Sequence, residues 1–174
     1  KQAKWRFDPE RAVCAFVDGE LVSTFGAYDF TVQLNGTPVP LAGVTNVGTL
    51  PGFRGRGFVR ELVTQGLADA RERGESCSML WASFGGIYQR FGYGLASAMV
   101  KYQWDPRYGQ LTGAPSAGGS MAIVPLAEGR EIAEQVHAEY VRPRNLMIVR
   151  GERDWRGIFE PESFQTKYQR MAIY

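Results

Sequence analysis

Apolar and polar positions along the chain change period several times, and each change predicts an element. Ala12 to Val17 is apolar, Asp18-Gly19 is a two-residue turn signal, and Leu21 to Phe30 resumes with β-branched and aromatic residues, which predicts a hairpin. Phe30 to Leu34 then alternates, and Asn35-Gly36 is the pair that type I′ turns favour. A run from Val39 through Leu41, Val44 and Val47 follows and stops at Pro51-Gly52, so a second hairpin is expected. Phe58, Val59, Leu62, Val63, Gly66, Leu67 and Ala70 form the stripe of one helix face, with Arg60, Glu61, Asp69, Arg71 and Glu72 pointing away. Gly74 stands where a helix-ending glycine belongs. Cys77 to Ala82 is the short, continuously apolar run of a strand covered on both faces. Strand, helix and covered strand make a βαβ unit with a parallel pair, so the expected class is mixed α/β with antiparallel hairpins in front.

Beyond Gly85-Gly86 the pattern predicts a short helical turn through Tyr88 and Arg90, then a strand near Ala98 to Tyr102. Asp105 to Ser120 is rich in glycine and proline and reads as a linker. Met121 to Val124 is strand-like, Glu128 to Tyr140 is helical, and Asn145 to Val149 is apolar. The expected division is therefore residues 1–104, a linker over 105–120, and an incomplete second α/β region over 121–174. Too few elements remain there to close a separate core. Apolar surface on Ile123, Ile132, Leu146 and Ile148 should stay uncovered, which predicts self-association into a homo-oligomer.

Composition narrows the chemistry. The 174 residues are 44% apolar and 22% charged, as in a folded globular protein. A net charge of +2 is too balanced for a binder that neutralises many phosphates, so no nucleic-acid partner is expected, and the single Arg56-Gly57 repeat of Arg54-Gly55 opens a helix. No apolar run is long enough for a membrane span, and Lys1 to Arg6 lacks a signal-peptide core, which together predict a cytoplasmic protein. Cys14 and Cys77 lack any partner spacing and read as reduced thiols. His137 is the sole histidine, which disfavours a Ser-His-Asp triad, a Cys-His pair or a His-rich metal centre; no metal is expected.

The chemistry concentrates in Pro51-Gly52-Phe53-Arg54-Gly55-Arg56-Gly57-Phe58, between a strand and the first turn of an amphipathic helix. Glycines there let backbone N–H groups face a ligand, and the helix N-terminus adds partial positive charge, a combination that favours a pyrophosphate. The spacing is neither a Walker loop nor a dinucleotide fingerprint. The competing reading is a turn whose arginines are merely solvated. A second glycine turn, Ser83-Phe84-Gly85-Gly86-Ile87-Tyr88, follows the next parallel strand, so both loops should open onto one sheet edge with Tyr88 near it.

Strand, Pro51-x-x-Arg54-Gly55-Arg56-Gly57, amphipathic helix, strand, then Tyr88-x-x-Phe91-Gly92-Tyr93 resembles the GNAT superfamily of acetyl-CoA-dependent N-acetyltransferases. The superfamily's Arg/Gln-x-x-Gly-x-Gly/Ala signature maps onto Arg54, Gly57 and Val59, with Val59 larger than the pattern. Gly85-Gly86-Ile87-Tyr88-Gln89-Arg90-Phe91-Gly92-Tyr93-Gly94, with Val44-Thr45-Asn46-Val47 upstream, resembles more narrowly the Eis acetyltransferases. Those combine two GNAT-like regions with a sterol-carrier-like domain, so the resemblance implies further segments before Lys1 and after Tyr174.

The resemblance also implies roles. Val47 and Thr49 would hold the acetyl-pantetheine arm through their backbone. Arg54, Gly55, Arg56, Gly57 and Phe58, with Val59 at the last signature position, would face the pyrophosphate. Ser83, Gly85 and Gly86 would line the far side, and Tyr88 would be the general acid. The implied activity is acetyl transfer from acetyl-CoA to a primary amine, on a small molecule or a peptide, by direct attack on the thioester. A CoA-binding or ligand-sensing module without transfer is the alternative. No Asp or Glu occurs from Phe30 to Arg60, which leaves water, Glu20 or Asp29 as the base. Trp5, Trp81, Trp104 and Trp155 read as core or interface aromatics.

Overall fold

A computed structural model describes residues 8–108, 113, 118–159 and 170–174. Strand β1 (Ala12–Val17) pairs antiparallel with β2 (Glu20–Leu34), which pairs antiparallel with β3 (Thr37–Thr49), and β3 pairs parallel with β4 (Cys77–Leu80). The two expected hairpins thus share one 15-residue central strand. Their turns stand where Asp18-Gly19 and Asn35-Gly36 predict, all four residues at positive φ.

Helix α1 (Phe58–Glu72) lies on this sheet and ends with Gly74 at φ 79°. Its buried residues Leu62, Val63 and Ala70 form one cluster with Phe25, Ala27, Ala42 and Val44 of the sheet. Helix and sheet approach closely at Gly66, where a Cβ would enter the ring of Phe25, itself 2% exposed. Gly66→Ala should therefore destabilise the fold by about 1–3 kcal/mol from overpacking, offset by about 1 kcal/mol of helix propensity, which a denaturant midpoint would show as a net loss. A gain in stability would contradict the packing described.

Two sequence expectations need correction. Strand β4 ends at Leu80 and is half-buried along its length, with Trp81 76% exposed, because β3 is its sole ladder partner among the described residues. No strand forms near Ala98 to Tyr102. Residues 94–105 carry no regular structure and expose Leu95, Met99, Val100, Tyr102 and Trp104, since no described strand runs beside them to accept a ladder. In the linker, Pro106–Tyr108 is one 3-10 turn, and residues 109–112 and 114–117 lie outside the described residues, as does Trp5.

The last region has β5 (Ala122–Pro125), α2 (Leu126–Val141), α3 (Glu152–Phe159) and β6 (Arg170–Ile173), with β5 and β6 in a two-stranded antiparallel sheet. Helix α3 and strand β6 are additions to what the pattern predicts. Residues 145–149 run along the end of β2, where Gln33 and Val149 donate their N–H groups to Met147 and Thr31 at 3.0 and 2.7 Å. Arg153 pairs with Asp29 of β2. Trp155, 6% exposed, packs beside Phe159 and edge-on to His137, so it is a core aromatic as expected, whereas Trp81 and Trp104 are exposed. Ile123, Ile132 and Leu146 are exposed, and Ile148 is half-buried against β2.

Candidate functional site

The parallel pairing of β3 with β4 runs from Leu41 opposite Cys77 to Val44 opposite Leu80 and stops. Beyond it the strands part. On its other side β3 is irregular too: Thr24 pairs with Gly48 and Gly26 with Thr45, so Asn46 and Val47 have no partner in β2, and Asn46 adopts φ 52°. Thr24 steadies this bulge by donating its hydroxyl to the Asn46 carbonyl at 2.7 Å. Ser23 similarly donates to the Gly48 carbonyl at 2.9 Å. The end of β3 is therefore rigid toward β2 and open toward β4.

A cleft of about 820 Å³ starts at this opening. Val47, Thr49, Arg54, Gly55, Arg56, Gly57, Phe58 and Val59 line one wall, and Ser83 and Tyr88 the other. Gly85 and Gly86 form the 3-10 turn behind that second wall, and the surface there is made by Phe84 and Ile87. Arg60, Arg90, Phe53 and Phe91 also line the cleft, although the sequence pattern assigns Arg60 to solvent and gives Arg90 no role. A cationic residue in the first turn after a glycine loop was the available signal for Arg60. Among the described residues no carboxylate lines the cleft, and Asp29 is engaged with Arg153 away from it.

The turn into α1 is shaped by Gly55 at φ 76° and Gly57 at φ 90°, which residues with a side chain rarely adopt. Gly57 is the N-cap, and no side chain caps the helix. The first-turn N–H groups thus remain available at the mouth of the cleft, where the helix dipole favours an anion. Arg54 touches the Thr49 carbonyl through Nε at 3.4 Å, and Arg56 donates to the Gly52 carbonyl at 3.2 Å with its guanidinium over the Phe53 ring. These contacts orient the two guanidinium groups at the cleft wall.

On the opposite wall Tyr88 is half-buried, and burial raises its phenol pKa above the ordinary value of 10.0. The hydroxyl is therefore protonated throughout the neutral range. Its ring meets that of Tyr93 edge-on at 5.8 Å. Among the described residues no three His, Cys, Asp or Glu side chains are grouped to hold a metal ion, and no helix is long and apolar enough to cross a membrane.

Comparison with known proteins gives this geometry a family. The profile of the acetyltransferase (GNAT) domain matches residues 1–96. An uncharacterized N-acetyltransferase of Streptomyces avermitilis is 30% identical over 152 residues, covering 85% of this chain and 36% of its own length. N-acetyltransferase Eis of Mycobacterium tuberculosis is 33% identical over 107 residues, or 61% of this chain and 27% of Eis. The crystal structure of Eis1 from Mycobacterium abscessus superposes with a TM-score of 0.68 at 31% identity, covering 90% of this chain and 40% of Eis1. The chain thus spans well under half the length of these relatives. It belongs to the GNAT acetyltransferase family and is related to the Eis proteins within it.

Proposed function

We propose that the cleft binds acetyl-CoA and that the chain is the donor-binding part of an N-acetyltransferase acting on a primary amine, carried by a small molecule or a peptide. The observation that carries this reading is the convergence of an uncapped helix N-terminus, four arginines and Tyr88 on one cleft that, among the described residues, holds no carboxylate. Such a surface suits a donor bearing several phosphates.

Bound there, acetyl-CoA supplies an acyl group already activated as a thioester. The backbone of Gly55, Gly57 and Phe58 orients the pyrophosphate, and Arg54 and Arg56 offset its charge. The unpaired backbone at Val47 is the natural oxyanion donor, and Thr49 continues the edge along which the pantetheine arm would lie. Ser83 closes the far side. Tyr88 holds, at its phenol oxygen, the proton that the leaving sulfur takes up. The lining offers no base, so the amine proton leaves to water or to a group outside the cleft. Free, unpaired Cys14 and Cys77 support a cytoplasmic setting, and exposed Ile123 and Leu146 support self-association.

Thiol release from acetyl-CoA against a panel of amines tests the reading in the longest polypeptide that the gene encodes. Turnover with at least one amine is expected, and Arg54→Ala should weaken CoA binding about tenfold to a hundredfold by calorimetry, the value of one charge-assisted contact. CoA binding without thiol release would favour the binding-module alternative. Unchanged affinity of Arg54→Ala would remove that arginine from the site.

A further inference from the structure

Resting on the assignment of Tyr88 as proton donor, we propose that Tyr93 and Ser78 form a tether that fixes the Tyr88 ring at the cleft, making Tyr93 a positioning residue of the transfer reaction. Neither Tyr93 nor Ser78 lines the cleft.

The segment that carries Tyr88 is bonded almost entirely to itself. Ile87 donates to the Phe84 carbonyl at 3.3 Å, Tyr88 to Gly85 at 3.1 Å and Gly92 to Gln89 at 3.0 Å. The Tyr88 carbonyl accepts twice, from Phe91 at 2.9 Å and Tyr93 at 3.4 Å, because Gly92 at φ 87° turns the chain back on itself. None of these bonds reaches the sheet. Built this way, the two 3-10 turns can rock as one body, and a side chain displaced by about 1 Å can lose a hundredfold in rate.

Two side chains hold that body to the sheet. Phe91 packs against the core cluster, which fixes its depth. Tyr93 fixes its direction. Ser78 donates its hydroxyl to the Ala42 carbonyl at 3.2 Å, so its oxygen accepts from the Tyr93 phenol. Ala42 and Ser78 are partners in the parallel ladder, and Ala42 is fully buried, so the anchor is among the stiffest points of the fold. The Tyr93 ring then bears edge-on against Tyr88 at 5.8 Å and 69°. Burial raises the Tyr93 pKa, so its hydroxyl is protonated and able to donate at neutral pH. Phenol to serine to carbonyl is one line from the catalytic ring to the sheet.

The test is steady-state kinetics of thiol release with acetyl-CoA and a saturating amine, in the longest encoded polypeptide. Tyr93→Phe keeps the ring and removes the donor, so kcat should fall about tenfold to a hundredfold while KM for acetyl-CoA stays within about twofold. Ser78→Ala should match it, and Ser78→Thr, which restores a hydroxyl, should recover most of the loss. Adding Tyr93→Phe to Tyr88→Phe should cost nothing further, because the tether acts only through Tyr88. A kcat within about twofold of wild type for Tyr93→Phe, or a loss that persists in full on the Tyr88→Phe background, would overturn the tether and leave Tyr88 as proton donor. Near-normal turnover of Tyr88→Phe would instead remove the proton-donor reading, and the tether with it.

Discussion

Tyr88→Phe is expected to lower kcat for acetyl transfer by a factor of about 10² to 10⁴ while leaving CoA affinity unchanged. The substitution keeps the ring that contacts Tyr93 and deletes the hydroxyl on the cleft wall. As the proposed donor, Tyr88 carries its proton at neutral pH, since a phenol's ordinary pKa of 10.0 already ensures this and burial raises it further, and that ordinary value lies near the thiol range. The proposed pyrophosphate contacts lie on the other wall, around Arg54 to Phe58, so binding and chemistry should separate cleanly. Calorimetry of CoA beside kcat at saturating amine reads both quantities. A kcat within about threefold of wild type, well short of the range for general acid catalysis, would leave Tyr88 an edge-packing aromatic.

The second large effect lies in the fold. Arg11, 9% exposed, pairs with Glu75, whose side chain is 4% exposed, and also donates from Nε to the Ala27 carbonyl at 3.0 Å. This joins the residue before β1 to the turn after α1, ends of the domain that are distant in sequence. Arg11→Ala strands a buried carboxylate, one oxygen of which already has no hydrogen-bond partner among the described residues. The expected loss is about 3–5 kcal/mol, read as a shift in the midpoint of chemical denaturation. Replacing both partners with apolar residues, Arg11→Met with Glu75→Leu, should recover most of it, since the cost arises from the uncompensated charge. A loss below about 1 kcal/mol for Arg11→Ala, the scale of an exposed pair, would mean that the pair is solvated.

Local chemistry made much of this legible in the sequence. Glycines at Gly55 and Gly57 immediately before an amphipathic stripe predict a tight turn into a helix without reference to anything distant, and both stand at positive φ on the wall of the cleft. The bulge at Asn46 and Val47 was not legible, because it arises from the register of Thr24 and Gly26 against Gly48 and Thr45. Arg90 carries no local signal either, since only the fold brings it into the same cleft as Arg54. Helix α3 did carry a signal, since Trp155 and Phe159 are one turn apart and both buried, but eight residues give a short stripe. The run from Ala98 to Tyr102 has strand composition and no strand, because a ladder needs a neighbour and none of the described residues provides one.

The residues that line one wall of the cleft, from Val47 to Arg60, come from a single uninterrupted stretch of polypeptide, whereas Tyr88 comes from a separate loop. A slot written in one short stretch behaves like a cassette. It can pass through insertions and deletions elsewhere in the chain so long as the register of β2 against β3 is kept, because its strand end is bonded to Ser23 and Thr24. The opposite wall comes from a different segment, so one wall of the cleft can change in sequence while the other is kept.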